Sequence, residues 1–363
     1  MFASFGVLVV ALPLYIRDEL GRSDFGVGIA VGAASIGAIL AGPVTGRLAD
    51  RWGRRLFLFG GVALMLGGYL TLAAEPSFGV VVAVRAVAGA GEAMFVVAAF
   101  TMAADLTPAG RHGEGMSLVT TGSYLGLALG PLAADLAVDL RGFTTAWLLA
   151  AAATVVAGVV GLAVAETRPL HEDEPSRALL PPRSALLPGL ILLLALLGFG
   201  GFNAFAVLHA REVGLERPGL VFLVFAGVVV GVRLLGRTLP DRLGARAAAS
   251  AACAAVACGL VIVAAWQSVA GVLVGTAVFA VGQALAYPAV ALLAMTRAAP
   301  SERSAAVAAV IAFVDVALLS GAFVLGFAAD AAGYDAVFWL GAVSAAGGLV
   351  LLARMAPRSA AIC

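Results

Sequence analysis

Long apolar stretches alternate with short charged ones along the whole chain, and twelve apolar blocks stand between the charge clusters. They cover 2–16, 25–45, 56–73, 78–104, 116–138, 143–164, 185–208, 218–235, 247–266, 270–295, 304–329 and 336–353. Most have the length that crosses roughly 30 Å of hydrocarbon as a helix, about 20 residues. The first block is shorter and has no basic flank. Its Pro13-Leu14-Tyr15-Ile16 does not resemble a signal-peptide cleavage site, so this helix is expected to be clipped at its start.

Composition strengthens the pattern. The chain of 363 residues is 62% hydrophobic and 12% charged, whereas soluble domains carry about 25% charged residues. The expected class is an all-α membrane protein of twelve transmembrane helices embedded in a lipid bilayer. A net charge of +1 gives no footprint for nucleic acid. Cys253, Cys258 and Cys363 have no metal spacing, and the first two read as small packing residues. With no nucleotide loop and no catalytic set, neither an enzyme nor a cofactor or metal site is expected.

All 22 basic residues other than histidine are arginine, and their placement sets orientation. With both termini on the cytoplasmic side, the inner segments hold fifteen arginines and the outer loops five. Positive loops stay inside, so cytoplasmic termini are expected, in a plasma or bacterial inner membrane. The segment 166–184 is the only sizeable polar, proline-bearing stretch. It divides the chain into two six-helix halves, 1–165 and 185–363, joined by a cytoplasmic linker.

One charged signature occurs twice. GRLADRWGRR at 46–55 is echoed by GRTLPDRLGAR at 236–246, each in the turn after the second block of its half. Parallel repeats of this kind are an architecture of secondary transporters. GRLADRWGRR resembles the loop 2–3 signature of the major facilitator superfamily at Gly46, Leu48, Ala49, Asp50, Arg51, Gly53, Arg54 and Arg55. Arg85-Ala-Val-Ala-Gly89-Ala-Gly91 is similar to the superfamily's helix 4 signature. Gly122, Gly126, Gly130 and Pro131 resemble the helix 5 signature of its drug-efflux antiporters. There the chain departs: Ala134-Asp135 stands where a Gly-Gly pair usually follows.

The resemblance implies two six-helix bundles and alternating access. It also implies a latch in which Gly46, Asp50, Arg51, Gly53, Arg54 and Arg55, with Asp241 and Arg242 of the echo, hold the halves together on the cytoplasmic side. Ser301-Glu302-Arg303 is a candidate partner, and Asp50 is expected near a helix N-terminus, whose partial positive charge favours an acid. Arginines that only anchor topology are the plainer reading of the same loop. The resemblance also puts the glycine face of helix 5, with Pro131, at the seam between halves. Close helix packing in lipid already accounts for such a face.

Charges inside apolar blocks are costly and mark functional candidates. Arg85 and Glu92 lie seven residues apart, on one helix face, and suggest a polar track for protons. A snorkelling Arg85 is the alternative. Asp135 and Asp315 are the other acids in apolar blocks and further proton-coupling candidates, the first near an outer end where it could be interfacial, the second with apolar flanks on both sides; Glu92 and Asp315 are the first choices. Asn203, Phe205, Gln283 and Tyr287 are candidates to line a substrate cavity, with interhelical hydrogen bonding as the competing role for the polar ones.

The expected function is export of a small organic molecule, a drug or metabolite, in exchange for protons, by a chain acting as a monomer. Uptake of a sugar or organic acid by symport or uniport is the runner-up. A non-transporting membrane sensor or assembly partner is the alternative from another class.

Overall fold

Helices longer than the apolar blocks dominate the computed structural model, which describes residues 1–108, 111–167, 183–235, 243–298 and 303–355. They are α1 (Phe2–Asp18), α2 (Asp24–Trp52), α3 (Arg54–Ala73), α4 (Phe78–Leu106), α5 (His112–Arg141), α6 (Phe143–Leu162), α7 (Arg183–Glu212), α8 (Leu220–Leu235), α9 (Ala245–Ala265), α10 (Val269–Arg297), α11 (Arg303–Ala332) and α12 (Tyr334–Arg354). Ten contain spans long and apolar enough to cross a membrane; α1 and α8 are shorter, at 17 and 16 residues. A 29-residue helix such as α2 rises about 44 Å, so its ends extend past the hydrocarbon. That is why the helices overrun the expected blocks.

The largest overrun corrects the reading of the charged signature as a loop. Its first seven residues are the last two turns of α2, and one residue, Gly53 at φ +96°, separates α2 from α3. Asp50 therefore lies in the C-terminal turn of α2, and its carboxylate pairs with Arg54, the first residue of α3. Gly53 and Gly244 stand 191 residues apart, and so do Gly142 and Gly333; all four have φ near +80 to +96°. Only glycine enters that region freely, so the halves repeat their tightest turns at one offset.

Packing repeats as well. In the first half α1 packs on α5 and α6, α2 on α4, and α3 on α4 and α6. In the second half α7 packs on α11 and α12, α8 on α10, and α9 on α10 and α12. The seam between the groups is formed chiefly by α2 against α11 and α5 against α8, with α1 touching α7. Large aliphatic side chains point outward, including Leu40 at 70% and Leu140 at 79% exposure. Surfaces of that kind belong against lipid. Most of the expected linker, residues 168–182, lies outside the described residues, as do the echo's Asp241 and Arg242, and also Glu302.

Candidate functional site

A cavity of about 290 Å³ lies between the two groups of helices, lined from α1, α2, α4, α5, α7, α8 and α11. Its walls are mostly apolar, with Phe2, Phe5, Phe199, Phe222 and Phe225 supplying aromatic rings. Arg85 and Glu92 of α4, Ser35 of α2 and Asn203 of α7 are its polar groups. Tight backbone contact fixes the α4 turn that bears Arg85. A side-chain carbon on Gly37 would run into the Ala86 carbonyl, and one on Gly89 into the Ala34 carbonyl. Arg85 is 8% exposed, and its Nε and Nη1 have no hydrogen-bond partner among the described residues. It forms no ion pair with Glu92, although their charges act on one another. Asp315 of α11 does not line the cavity.

The remaining cavity candidates lie elsewhere. Phe205 is fully buried and stacks on Tyr334, with ring centroids 6.1 Å apart. Gln283 of α10 donates from Nε2 to the Ala195 carbonyl of α7 at 3.4 Å, the interhelical role. Tyr287 packs against the apolar core of the second half. Phe199, Phe222 and Phe225 were missed in the sequence, because one phenylalanine in an apolar run looks like another.

Hydrogen bonds between described residues that cross the seam gather at the end carrying the α1–α2 turn. The Asp24 N–H donates to Asp330 Oδ1 at 2.7 Å, and the Tyr334 hydroxyl donates to Asp24 Oδ1 at 3.0 Å. Arg17 Nε lies 3.4 Å from the same oxygen. Arg211 of α7 bridges to Asp18 of α1 at 2.5 Å. Asp135, 5% exposed, accepts the Gly219 N–H at 2.6 Å, joining α5 to the entry of α8. So Asp135 is bound at the seam and does not line the cavity. Here α2 and α11 touch backbone to backbone, where a side-chain carbon on Gly28 would meet the Ala322 carbonyl.

The glycine face of α5 turns a different way from the one the resemblance implied. Side-chain carbons on Gly126 and Gly130 would strike Phe2, Ala3 and Gly6 of α1, and Gly122 has open space around it. The face therefore packs α5 on α1 within one half, while Pro131, whose carbonyl abuts Gly219, belongs to the seam with α8. Farther along this seam Arg233 of α8 lies over the Tyr124 ring of α5, 4.9 Å from its centroid.

At the opposite end the charged signature forms a network within the first half. Arg54, 6% exposed, pairs with Asp50 at 3.2 Å and with Asp105 at the end of α4. Its Nη1 donates to the Thr167 carbonyl at 2.9 Å. Glu166 accepts the N–H groups of Arg54 at 2.8 Å and Arg55 at 3.1 Å, capping the start of α3. Burial alone would raise the Glu166 carboxyl. The N–H donors of Arg54, Arg55 and Thr167, with the Arg55 guanidinium, outweigh that and hold it below the usual carboxylate range. Arg51 is exposed, and nothing lies within 4 Å of the Gly46 side-chain position. Arg55 donates to the Leu162 carbonyl at the end of α6, and Arg246 to the Ala353 carbonyl at the end of α12. Donors and acceptors are both 191 residues apart, the offset of the glycine turns. Glu166 escaped the sequence reading because it lies 111 residues or more from the groups it caps.

Comparison with known proteins agrees with this architecture. An uncharacterized MFS-type transporter of Salmonella typhimurium is 27% identical over 361 residues, covering 95% of this chain and 90% of the relative. One from Burkholderia mallei is 29% identical over 371 residues, covering 99% and 90%. Among solved structures, a variant of the nucleoside transporter NupG superposes with a TM-score of 0.79 at 13% identity, over 97% of this chain and 96% of the other. A peptide transporter POT variant with sulfate gives 0.79 at 16% identity, over 97% and 91%. At such identities the structures show the fold. Residues 1–298 match the family described as Major Facilitator Superfamily. The chain is a multi-pass membrane transporter and belongs to the Major Facilitator Superfamily.

Proposed function

We propose that this transporter exports a small organic molecule in exchange for protons, by alternating access around the central cavity. The observation that carries the proposal is Glu92, an acid on the wall of a mostly apolar cavity, with Arg85 two turns away on the same helix and Asp315 on α11 of the other half. An acid so placed can hold a proton or a cargo group, and a site that holds one at a time exchanges them. Arg85 tunes Glu92, and Asp315 is the second proton group.

The arginine bias puts both termini in the cytoplasm of a bacterial inner membrane; the bacterial relatives support the setting. In that orientation the fastened end faces outward, and the seam is shut to the outside. The halves 1–165 and 185–363 rock about it, in a single copy of the chain. Asp50, Arg51, Arg54 and Arg55, with Asp241 and Arg242, govern the inner side, and Arg54 does so by bracing the first half.

Proton-driven transport in vesicles tests the coupling. Glu92→Gln and Asp315→Asn are each expected to uncouple cargo flux from the pH gradient, and unchanged coupling in both variants overturns the proposal. The unpartnered atoms of Arg85 favour a second reading, uptake of an organic acid with a proton. The sign of proton flux accompanying the cargo decides between the two.

A further inference from the structure

Arg85 is a buried cation whose Nε and Nη1 have no hydrogen-bond partner among the described residues, on the wall of the cavity. Leaving a buried charge unpaired is expensive, so an acceptor group on the cargo has a ready place. Glu92 lies two helical turns farther on the same face, about 10 Å along the axis. Between described residues the two form no ion pair, so each can take a separate group. Apart from Ser35 and Asn203, the rest of the wall is apolar and aromatic.

These charges discriminate among cargoes. A simple anion at Arg85 leaves the Glu92 carboxylate without a partner. A simple cation at Glu92 leaves Arg85 unpaired. A molecule bearing both charges satisfies both ends and adds no net charge to a low-dielectric site, where unbalanced charge is most costly. We infer that the cargo is a small zwitterion, with an acidic group held by Arg85, an amine held by Glu92, and an apolar or aromatic body between them. The inference rests on the exchange reading and explains it: the cargo's ammonium and a proton compete for Glu92, so only one is carried at a time. At about 290 Å³ the cavity is at the small end of the range for ligand sites, which restricts the body to about one ring.

The test uses three matched probes on the purified full chain: 4-(2-aminoethyl)benzoate, 4-ethylbenzoate and 2-phenylethylamine. Equilibrium binding in detergent is expected to favour the zwitterion by at least about tenfold over either singly charged probe, a difference of about 1.4 kcal/mol. Arg85→Gln should reduce the zwitterion to the affinity of the amine, and Glu92→Gln to that of the carboxylate. Arg85→Lys, which keeps the charge, should retain part of the preference, and this separates lost recognition from lost folding. A singly charged probe that binds as tightly as the zwitterion, or a preference that survives Arg85→Gln, overturns the inference. Proton movement is measured separately in proteoliposomes. Selective binding without proton movement keeps the two-charge site and refutes exchange. Exchange of a singly charged probe, with no preference for the zwitterion, refutes the two-charge site alone.

Discussion

The carboxylate of Asp135 meets the backbone N–H of Gly219 at 2.6 Å across the seam, joining α5 to the entry of α8. In the proposed alternating-access cycle this bond breaks when that end opens. Asp135→Ala leaves a buried N–H unpaired and should cost the closed arrangement about 1–3 kcal/mol. Asp135→Asn keeps an acceptor oxygen and should cost less. The readout is alkylation, from outside, of a cysteine placed at the cavity residue Val31, with Cys253, Cys258 and Cys363 replaced by alanine. Labelling should rise several-fold in Asp135→Ala, in line with a shift of that size; an unchanged rate means that the bond does not hold the seam.

The cap on α3 gives a pH dependence. Glu166 has its folded carboxyl held below the usual range, so its contribution is complete above the unfolded value of about 4.3. It is lost as pH falls through the lower folded value. Glu166→Gln should lower the melting temperature at pH 7 and narrow the gap to the parent protein as acid is added. The capping loss is about 1 kcal/mol, and thermal melts in detergent from pH 7 downward measure it. A gap that widens in acid contradicts the capping role.

Gly89 is where α4 touches the backbone of α2, against the Ala34 carbonyl. Gly89→Ala forces the helices apart, and overpacking of this kind costs about 1–3 kcal/mol. Because Arg85 lies one turn away, cargo binding should fall with it. Gly67→Ala, where nothing lies within 4 Å, should leave stability unchanged or raise it, since alanine is the better helix former. Melting temperatures of the two variants make the comparison.

Arg54 links Asp50, Asp105 and the Thr167 carbonyl in one fork. Lysine offers a single point charge and cannot reproduce the fork, so Arg54→Lys should destabilise nearly as much as Arg54→Ala. A double-mutant cycle of Arg54→Ala with Asp105→Asn should show a coupling of about 0.5–3 kcal/mol. A coupling near zero would make the pair incidental.

The helices were legible because each must present a long apolar surface to lipid, and blocks of that length stand out. Their ends were less so: hydropathy falls at Arg47 and Asp50, yet backbone hydrogen bonding carries α2 on to Trp52. Arg85, Glu92 and Asn203 could be found because a polar group in a span is rare and costly. What escaped was pairing. Whether Gln283 faces a cavity or the Ala195 carbonyl depends on the rotation of α10 against α7, which apolar character on all sides leaves open. Asp135 looked like a proton group because its acceptor role needs Gly219, 84 residues away, and nothing local marks that partner.

α2 has an unusual pair of neighbours. Toward one end Gly28 lies against the Ala322 carbonyl of α11, and farther along Gly37 lies against the Ala86 carbonyl of α4, next to Arg85. At both places bare backbone meets backbone, so no side chain can cushion a displacement by changing rotamer. In the proposed cycle a tilt of α11 would therefore be passed along α2 to the turn that bears Arg85. One helix would then gear the proposed grip on the cargo to the choice of which side is shut.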